Sequence, residues 1–453
     1  MNMSIPDINE LIEIGQKIIS KAKEIGASET EVYLSATNRF SLRIITNYVT
    51  TISGLDSGMG IRVAIGKSVG FSSTSSLDLE KGFETLKTAV KIAKTRPPDP
   101  DFKHFADPKS GGKSGIFDEN LASVPEKELV EISGKSVKEG FEESKYAKKI
   151  DFGLGRYVGS FAVVNSRGIE NGDRYTAIFA WASVKSVKND ETVTGEYSVI
   201  SRTYIPDDIL KVSAIAGKRS ERMFRGKKLE KQTTGQLLIE NHAVTDFLWP
   251  LTYNVSALNV QNGRSKFIGK LDSKVAAQDV TIYDDGTLPI GIRTAKIDDE
   301  GVPTSKKPII EKGILKTYLY DSYTAHKDNR ESTGNGIRSN YESIPSPGAI
   351  NIVIEKTCEK DVNELIREID KGVFVSGFTM GSHLTDPLKG SFSITSLNAF
   401  YVENGDILHP LKSVSASGNF FELLNNIDKI GNDHKLTFTG YIPSILANNI
   451  VFI

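Results

Sequence analysis

Apolar residues recur at helical spacing in several segments of the first half of the chain. The pattern is clearest in residues 8–25, 77–95, 125–141 and 207–224. Apolar positions three and four apart line one face of a helix, and Ser4 or Asp7 can cap the start of the first segment. We therefore predict four amphipathic helices in this half.

β-branched and aromatic residues dominate the stretches between these helices. They predict strands at residues 31–35, 40–47, 48–53, 61–65, 69–74, 151–163, 169–186 and 191–204. Turn-forming residues separate several of these strands, at 165–168 and 189–190. This alternation indicates an N-terminal α+β region built on an antiparallel sheet.

The second half of the chain has a different pattern. From about residue 235, short apolar runs alternate with Asp-Gly, Lys-Gly and Asn-Gly turns at 285–286, 312–313 and 404–405. We find one well-patterned long helix there, at 360–371. The predicted fold class is α+β, with an N-terminal α+β domain (1–114), a central α+β region (115–230) and a C-terminal β-rich domain (231–453).

Two irregular segments need separate interpretation. Residues 96–114 are rich in proline and end near a glycine pair, which predicts an exposed connector. Residues 54–60 carry three glycines, but a strand pattern follows them, whereas a phosphate loop precedes a helix. A turn or a close backbone crossing is therefore favoured over a phosphate cradle.

The charge balance and the single cysteine narrow the possible function classes. The chain has 56 basic and 57 acidic residues, and no basic stripe of the kind that binds nucleic acid. Cys358 alone can form neither an intrachain disulfide nor a cysteine-based zinc site. The N-terminus lacks a secretory signal pattern and no run reaches ~20 apolar residues. We expect a cytoplasmic protein that binds neither membrane nor nucleic acid.

Histidine spacing offers no metal motif by itself. The six histidines are scattered, and no two stand three or four positions apart. The long loop from Gly377 onward is a candidate surface for a peptide or partner, through Gly377, Met380, Gly381, Ser382 and His383. The alternative is a connecting loop between two strands.

Several short motifs, taken in order, resemble the TldD/PmbA family over nearly the full length. They are the strand pair 58–63 and 70–74, the turn at 165–169, Glu300-Gly301-Val302-Pro303-Thr304, the segment 310–315, and the C-terminal segments 402–407, 417–419 and 427–433. The resemblance implies that the C-terminal domain is metalloprotease-like.

The family has two branches, and the resemblance places the chain in one of them. The TldD branch carries His-Glu-x-x-x-His on a helix and a later Cys, which together hold a catalytic zinc. The PmbA branch, also called TldE, lacks these residues and pairs with TldD. Here the matching segment puts His242 at the first His, Ala243 at the Glu and Phe247 at the second His. The late Cys is also missing from 439–444.

Zinc hydrolysis needs about three protein ligands and a carboxylate base, which these positions cannot supply. The resemblance therefore implies a non-catalytic PmbA/TldE-type subunit of a zinc metallopeptidase complex that degrades small or unfolded peptides. It implies no cofactor in this chain, zinc in a TldD-type partner, and a heterodimer or higher oligomer.

Two alternatives stay open. The first is an active metallopeptidase with a non-standard site built from His242, Asp246 and His383. The second is a regulatory binding module linked to DNA gyrase, which the family's older name, modulator of DNA gyrase, suggests.

Overall fold

The computed structural model describes residues 5–46, 48–377, 379–382 and 385–453. The helices are α1 (Ile8–Glu24), α2 (Leu79–Thr95), α3 (Glu119–Ser123), α4 (Glu126–Glu143), α5 (Pro206–Glu221), α6 (Asn241–Phe247), α7 (Trp249–Asn254), α8 (Ala257–Gln261), α9 (Ser322–Lys327), α10 (Val362–Ile366) and α11 (Phe420–Asn425). The strands are β1 (Glu29–Ile45), β2 (Tyr48–Ile65), β3 (Ser68–Thr74), β4 (Ala147–Asn165), β5 (Glu170–Lys188), β6 (Glu191–Ser201), β7 (Thr233–Ile239), β8 (Ile282–Asp285), β9 (Lys306–Glu311), β10 (Ile314–Leu315), β11 (Gly336–Ile337), β12 (Ser346–Pro347), β13 (Ile352–Ile354), β14 (Lys371–Val375), β15 (Thr379–Met380), β16 (Ser391–Ser396), β17 (Ala399–Glu403), β18 (Asp406–Leu411), β19 (Val414–Asn419), β20 (Ile427–Ile430), β21 (Lys435–Leu436), β22 (Gly440–Ile442) and β23 (Ile445–Phe452).

The first six strands form one antiparallel sheet in the order β3-β2-β1-β4-β5-β6. This sheet crosses the predicted boundary between residues 114 and 115, because β4 pairs directly with β1 along almost its whole length. The prediction of two strands at 31–35 and 40–47 was wrong. β1 continues through the polar residues between them, since Ala36 and Phe40 still point into the core on alternate positions.

All four long helices pack on one face of this sheet, in two pairs. α1 and α2 cover one apolar cluster around Leu34, and α4 and α5 cover a second around Phe152. α1 begins at a capping box in which Asp7 and Glu10 each accept the other's backbone N–H. On the opposite face of the sheet, Tyr33 and Phe161 pack against Val302 and Tyr341 of the C-terminal domain.

The C-terminal domain is β-rich, as predicted, and contains a nine-stranded and a six-stranded sheet. β7 lies near the middle of the larger sheet, parallel to β14 and antiparallel to β23. The predicted long helix at 360–371 was wrong, because α10 has only five residues. From Lys371 the chain joins β14 instead, and its apolar run gains sheet partners on both sides.

The predicted exposed connector is partly buried. Phe102 and Phe105 pack edge to face at a ring distance of 5.3 Å and are almost inaccessible to solvent. The backbone N–H of Phe105 donates to Glu29 Oε2 at 2.9 Å. Prolines and glycines correctly indicated irregular backbone, but the two aromatic side chains fix that backbone to the domain.

A buried network of charges joins the two halves of the chain. Arg62 donates to Glu31 Oε1 at 2.8 Å and to Glu300 Oε1 at 2.9 Å, and Arg338 donates to Glu31 Oε1 at 2.6 Å. Nearby, Gly58 and Gly60 let Tyr341 approach, since an added Cβ would meet its ring or its backbone oxygen at 2.6 and 2.2 Å. The glycine-rich segment is therefore a close crossing within a strand. In the part of the chain that the structure describes, no helix is both long enough and apolar enough to cross a membrane.

Candidate functional site

The segment that resembles the zinc helix lies at the end of a central strand. β7 leads into α6 through Glu240, whose carboxylate pairs with Arg219 at 2.6 Å and accepts the backbone N–H of Gly377 at 2.9 Å. Burial opposes its charge, yet the charge of Arg219 and the hydrogen bond from the Ser376 hydroxyl outweigh burial, and the pKa of Glu240 is lowered. An ionised Glu240 therefore fixes the start of α6 against both α5 and the loop after β14.

His242 faces a small cavity from the first turn of α6. Its imidazole lines about 160 Å³ of space together with Phe179, Trp181 and Phe438. The ring of Tyr197 meets it edge to face at 6.0 Å. Burial, followed by the positive charge of Lys435, lowers the pKa of His242 to about 4. His242 is therefore a neutral imidazole at pH 7.

Ala243 and Phe247 belong to the hydrophobic core of the C-terminal domain. Both are buried in its main apolar cluster, and the ring of Phe247 packs edge to face on Phe392 at 5.3 Å. A zinc ligand or a proton-accepting carboxylate at these positions would lie in apolar surroundings. The residues present do not fit a zinc ion, and the structure brings no group of three His, Cys, Asp or Glu side chains into metal-binding range among the residues it describes.

The candidate loop lies directly beside α6. Gly377 contacts Glu240, Met380 is half exposed on β15, and Gly381 has a positive φ of 96°. Ser382 lines a second cavity of about 350 Å³ with Thr245, Asp246 and Trp249. His383 lies outside the residues that the structure describes, so the suggested grouping of His242, Asp246 and His383 stays a prediction.

Asp246 faces this second cavity and accepts a hydrogen bond from the Thr379 hydroxyl. Burial raises the pKa of Asp246, while hydrogen bonds from Thr379 and Ser382 oppose that rise. The carboxyl group is therefore engaged with the loop, and it ties the loop to α6.

Sequence reasoning missed the aromatic wall opposite α6. Trp181 and Phe179 lie over Gly153 and Gly155 of β4, where an added Cβ would approach the two rings to 2.3 and 2.4 Å. Phe438 then packs edge to face on Phe179 at 5.5 Å. The alternate glycines of β4 were the only local signal of this arrangement, because each leaves room for a ring from the next strand.

A third cavity of about 490 Å³ continues this space. Trp249, Tyr253, Arg293 and Phe438 line it. It shares Phe438 with the cavity at His242 and Trp249 with the cavity at Asp246. Residues of α6 line two of these three neighbouring cavities, and we call the three together the cleft around α6; its part at His242 lies between the six-stranded sheet and the C-terminal domain.

The comparisons with known proteins agree with this architecture. Residues 232–453 match the PmbA/TldA metallopeptidase C-terminal domain, and residues 30–93 match PmbA/TldA metallopeptidase domain 1. The chain belongs to the PmbA/TldD metallopeptidase family.

Relatives from both branches of the family align with the chain. An uncharacterized protein of Methanocaldococcus jannaschii is 28% identical over 94% of this chain and 96% of its own length. A metalloprotease PmbA homolog of Buchnera aphidicola is 25% identical over 97% and 96% of the two chains. A metalloprotease TldD homolog of Buchnera aphidicola is 34% identical, but over only 39% of this chain and 36% of its own length.

A solved structure has the same fold over the whole length. TldE from Thermococcus kodakarensis superposes with a TM-score of 0.90 and covers 97% of this chain and 99% of its own, at 23% sequence identity. This chain therefore shares the fold of that structure over nearly all of its residues.

Proposed function

We propose that this chain is a PmbA/TldE-type subunit, which pairs with a TldD-type zinc metallopeptidase and holds no catalytic zinc itself. One observation carries the proposal: Ala243 and Phe247, at the positions of the base and the second imidazole, are packed as core residues. His242 alone cannot hold and activate a zinc-bound water, since a catalytic site needs about three ligands and a base.

The pattern of similarity supports the same branch. The alignment with the PmbA homolog extends over nearly all of both chains, whereas the alignment with the TldD homolog covers 39% of this chain and 36% of the homolog. The TldD homolog has the higher identity within its shorter alignment. The argument therefore depends on the chemistry of α6 more than on the degree of identity.

The cleft around α6 suggests what the subunit contributes. Its aromatic walls and the polar edge formed by Thr245, Ser382 and Arg293 suit an extended peptide with apolar side chains. The uncharged imidazole of His242 lines the smallest of the three cavities. In this proposal the chain forms part of the wall that holds a small or unfolded peptide near the partner's zinc.

The test compares the isolated chain, the TldD-type subunit, and the two together. Bound zinc is measured by mass spectrometry, assembly by light scattering, and cleavage with an unfolded fluorogenic peptide in the presence and absence of a chelator. We expect little zinc and no cleavage from the isolated chain, and a zinc-containing, chelator-sensitive complex from the mixture.

His242→Phe separates this proposal from the non-standard active site. If His242 were a zinc ligand, the substitution would remove metal from the chain that carries it. We expect the zinc content of the complex to be unchanged, because the metal is held by the partner. Tightly bound, stoichiometric zinc in the isolated wild-type chain, lost on substitution of His242, would contradict the proposal.

A further inference from the structure

A large cavity lies on the other side of the sheet, away from α6. It measures about 1080 Å³, which matches the upper range of small-molecule pockets, roughly 300–1000 Å³. It occupies the gap between the two helix pairs. On β4 the apolar cluster of one pair ends at Leu154 and that of the other begins at Ala162, and Arg156, Val158 and Ser160 lie between them.

Arg156 is a buried cation without a closely bonded carboxylate. It is 6% exposed, and its two terminal nitrogens donate to the carbonyl of Val124 at 2.7 Å and to Asn38 Oδ1 at 3.3 Å. Its Nε has no hydrogen-bond partner, and the nearest acidic oxygen, on Glu126, is 3.9 Å away. Burial lowers the pKa of Arg156, which reflects how weakly its charge is compensated.

The first turn of α4 opens onto the same space. This 18-residue helix begins after Pro125, and no side chain caps its N-terminus. Uncapped N–H groups and the helix dipole favour an anion at that end. Arg174 adds a second guanidinium, which stacks 3.7 Å from the centre of the Phe117 ring. Two cations and a helix N-terminus therefore line one cavity.

Carboxylates also lie at the edge and limit the charge that the cavity can accept. Asp7 caps α1, Glu126 accepts the Ser53 hydroxyl at 2.6 Å, and Glu119 contacts Arg174 at 3.4 Å. These groups would repel a dianion more strongly than a monoanion. The remaining walls combine polar residues such as Asn38 and Ser160 with apolar ones, which include Pro6, Phe117, Ala122, Val124 and Val158.

We propose that this cavity binds a small monocarboxylate with an apolar body, its carboxylate at Arg156 and the start of α4 and its body against Phe117 and Val158. The planar guanidinium matches a carboxylate in geometry, and such charge-assisted bonds are the strong ones in a buried site. The site is separated from the cleft around α6 by the sheet. The proposal does not depend on the proposed peptidase role.

The experiment is calorimetric titration of the full chain with a panel of straight-chain and phenyl-substituted monocarboxylates. The matched probes are 3-phenylpropionate, its neutral amide, and inorganic phosphate. We expect at least one carboxylate of the panel to bind with one-to-one stoichiometry, with its amide weaker by at least about tenfold, because the charge-assisted hydrogen bonds to Arg156 are lost. Tighter binding of phosphate, equal binding of the amide, or no saturable binding by any carboxylate of the panel would overturn the proposal.

Two variants locate the site. Arg156→Gln should weaken carboxylate binding by at least about tenfold, and Ala122→Phe should also weaken it, because a bulky ring enters the cavity wall while all charges remain. Arg264→Gln removes an exposed arginine elsewhere and should leave affinity within about twofold of wild type. If the Arg156→Gln variant does not fold, the affinity of the Ala122→Phe variant tests the location of the site by itself. Unchanged affinity in Ala122→Phe would show that the ligand binds somewhere else.

Discussion

Arg62→Met tests the buried charges that join the two halves of the chain. Arg62 makes two hydrogen bonds to Glu31 and one to Glu300, and both carboxylates are fully enclosed. Methionine keeps an apolar stem of similar length beside Phe105 but removes the charge. Glu31 retains Arg338 at 2.6 Å, whereas Glu300 retains hydrogen bonds from Ser322 but no cationic partner at hydrogen-bond distance among the described residues.

We expect Arg62→Met to lose about 3–5 kcal/mol of unfolding free energy at neutral pH, the usual result of leaving a buried charge unpaired. The loss should depend on pH. In the wild type, Arg62 overcomes burial and lowers the pKa of Glu300, so the pair adds stability above the ordinary carboxyl pKa and loses it as pH falls. Without Arg62, burial raises that pKa, so the variant should be penalised more at pH 8 than at pH 5.

Urea unfolding followed by tryptophan fluorescence measures this loss in both halves. Trp181 lies on β5 and Trp249 on α7, and they are the only tryptophans in the sequence. Adding Glu300→Gln to Arg62→Met should recover part of the lost stability, because the unpaired charge is removed. Lys316→Met, at a more exposed ion pair, should cost less than about 1 kcal/mol. A loss of similar size in Arg62→Met at pH 5 and pH 8, or no recovery in the double variant, would refute the reasoning.

Three further predictions follow from the cleft, the sheet and the connector. The imidazole of His242 should titrate by NMR with a midpoint near 4 because of burial and Lys435, and a midpoint at the ordinary value near 6.5 would place His242 in water. Gly153→Val should displace Trp181, shift its fluorescence emission to the red and lower the free energy of unfolding by about 1–3 kcal/mol. In the control Gly134→Ala, an added Cβ in α4 meets nothing within 4 Å, so the free energy of unfolding should rise by up to about 1 kcal/mol. Phe105→Ala should cost about 3–5 kcal/mol and speed proteolysis within 96–114, whereas unchanged protease resistance would mean that the aromatic pair does not hold the connector.

Sequence patterns within a single segment predicted those helices and strands whose ends are fixed by residues of the same segment. α1 has a capping box at one end, lysines near the other and an apolar stripe between them, so its bounds could be placed almost to the residue. The bounds of β1 could not be placed in this way, because the polar residues at positions 37–39 suggest a break between two strands. Their backbone is held by β2 on one side and β4 on the other, and both partners are remote in sequence.

The candidate site also depends on contacts between segments that are remote in sequence. The family resemblance pointed to α6, and length and composition pointed to the loop after Gly377, but neither gave a reason for the two to touch. Their contact depends on Glu240 accepting the N–H of Gly377 and on Asp246 accepting the Thr379 hydroxyl, and no periodicity can indicate either hydrogen bond. Trp181, Trp249 and Phe438 come from three distant elements, so the aromatic cleft exists only in the folded chain.

The packing of Phe247 has a consequence for how such a subunit could change over time. A histidine placed there would exchange an aromatic contact for a buried, unsatisfied ring nitrogen, at a cost of about 1–3 kcal/mol. It would bring no metal in return until a base at 243 and a further ligand had also arisen. Under the proposed function, each single-substitution variant on the way back to a catalyst would be less stable than the present chain and still inactive. Loss of the zinc site is therefore hard to reverse one substitution at a time.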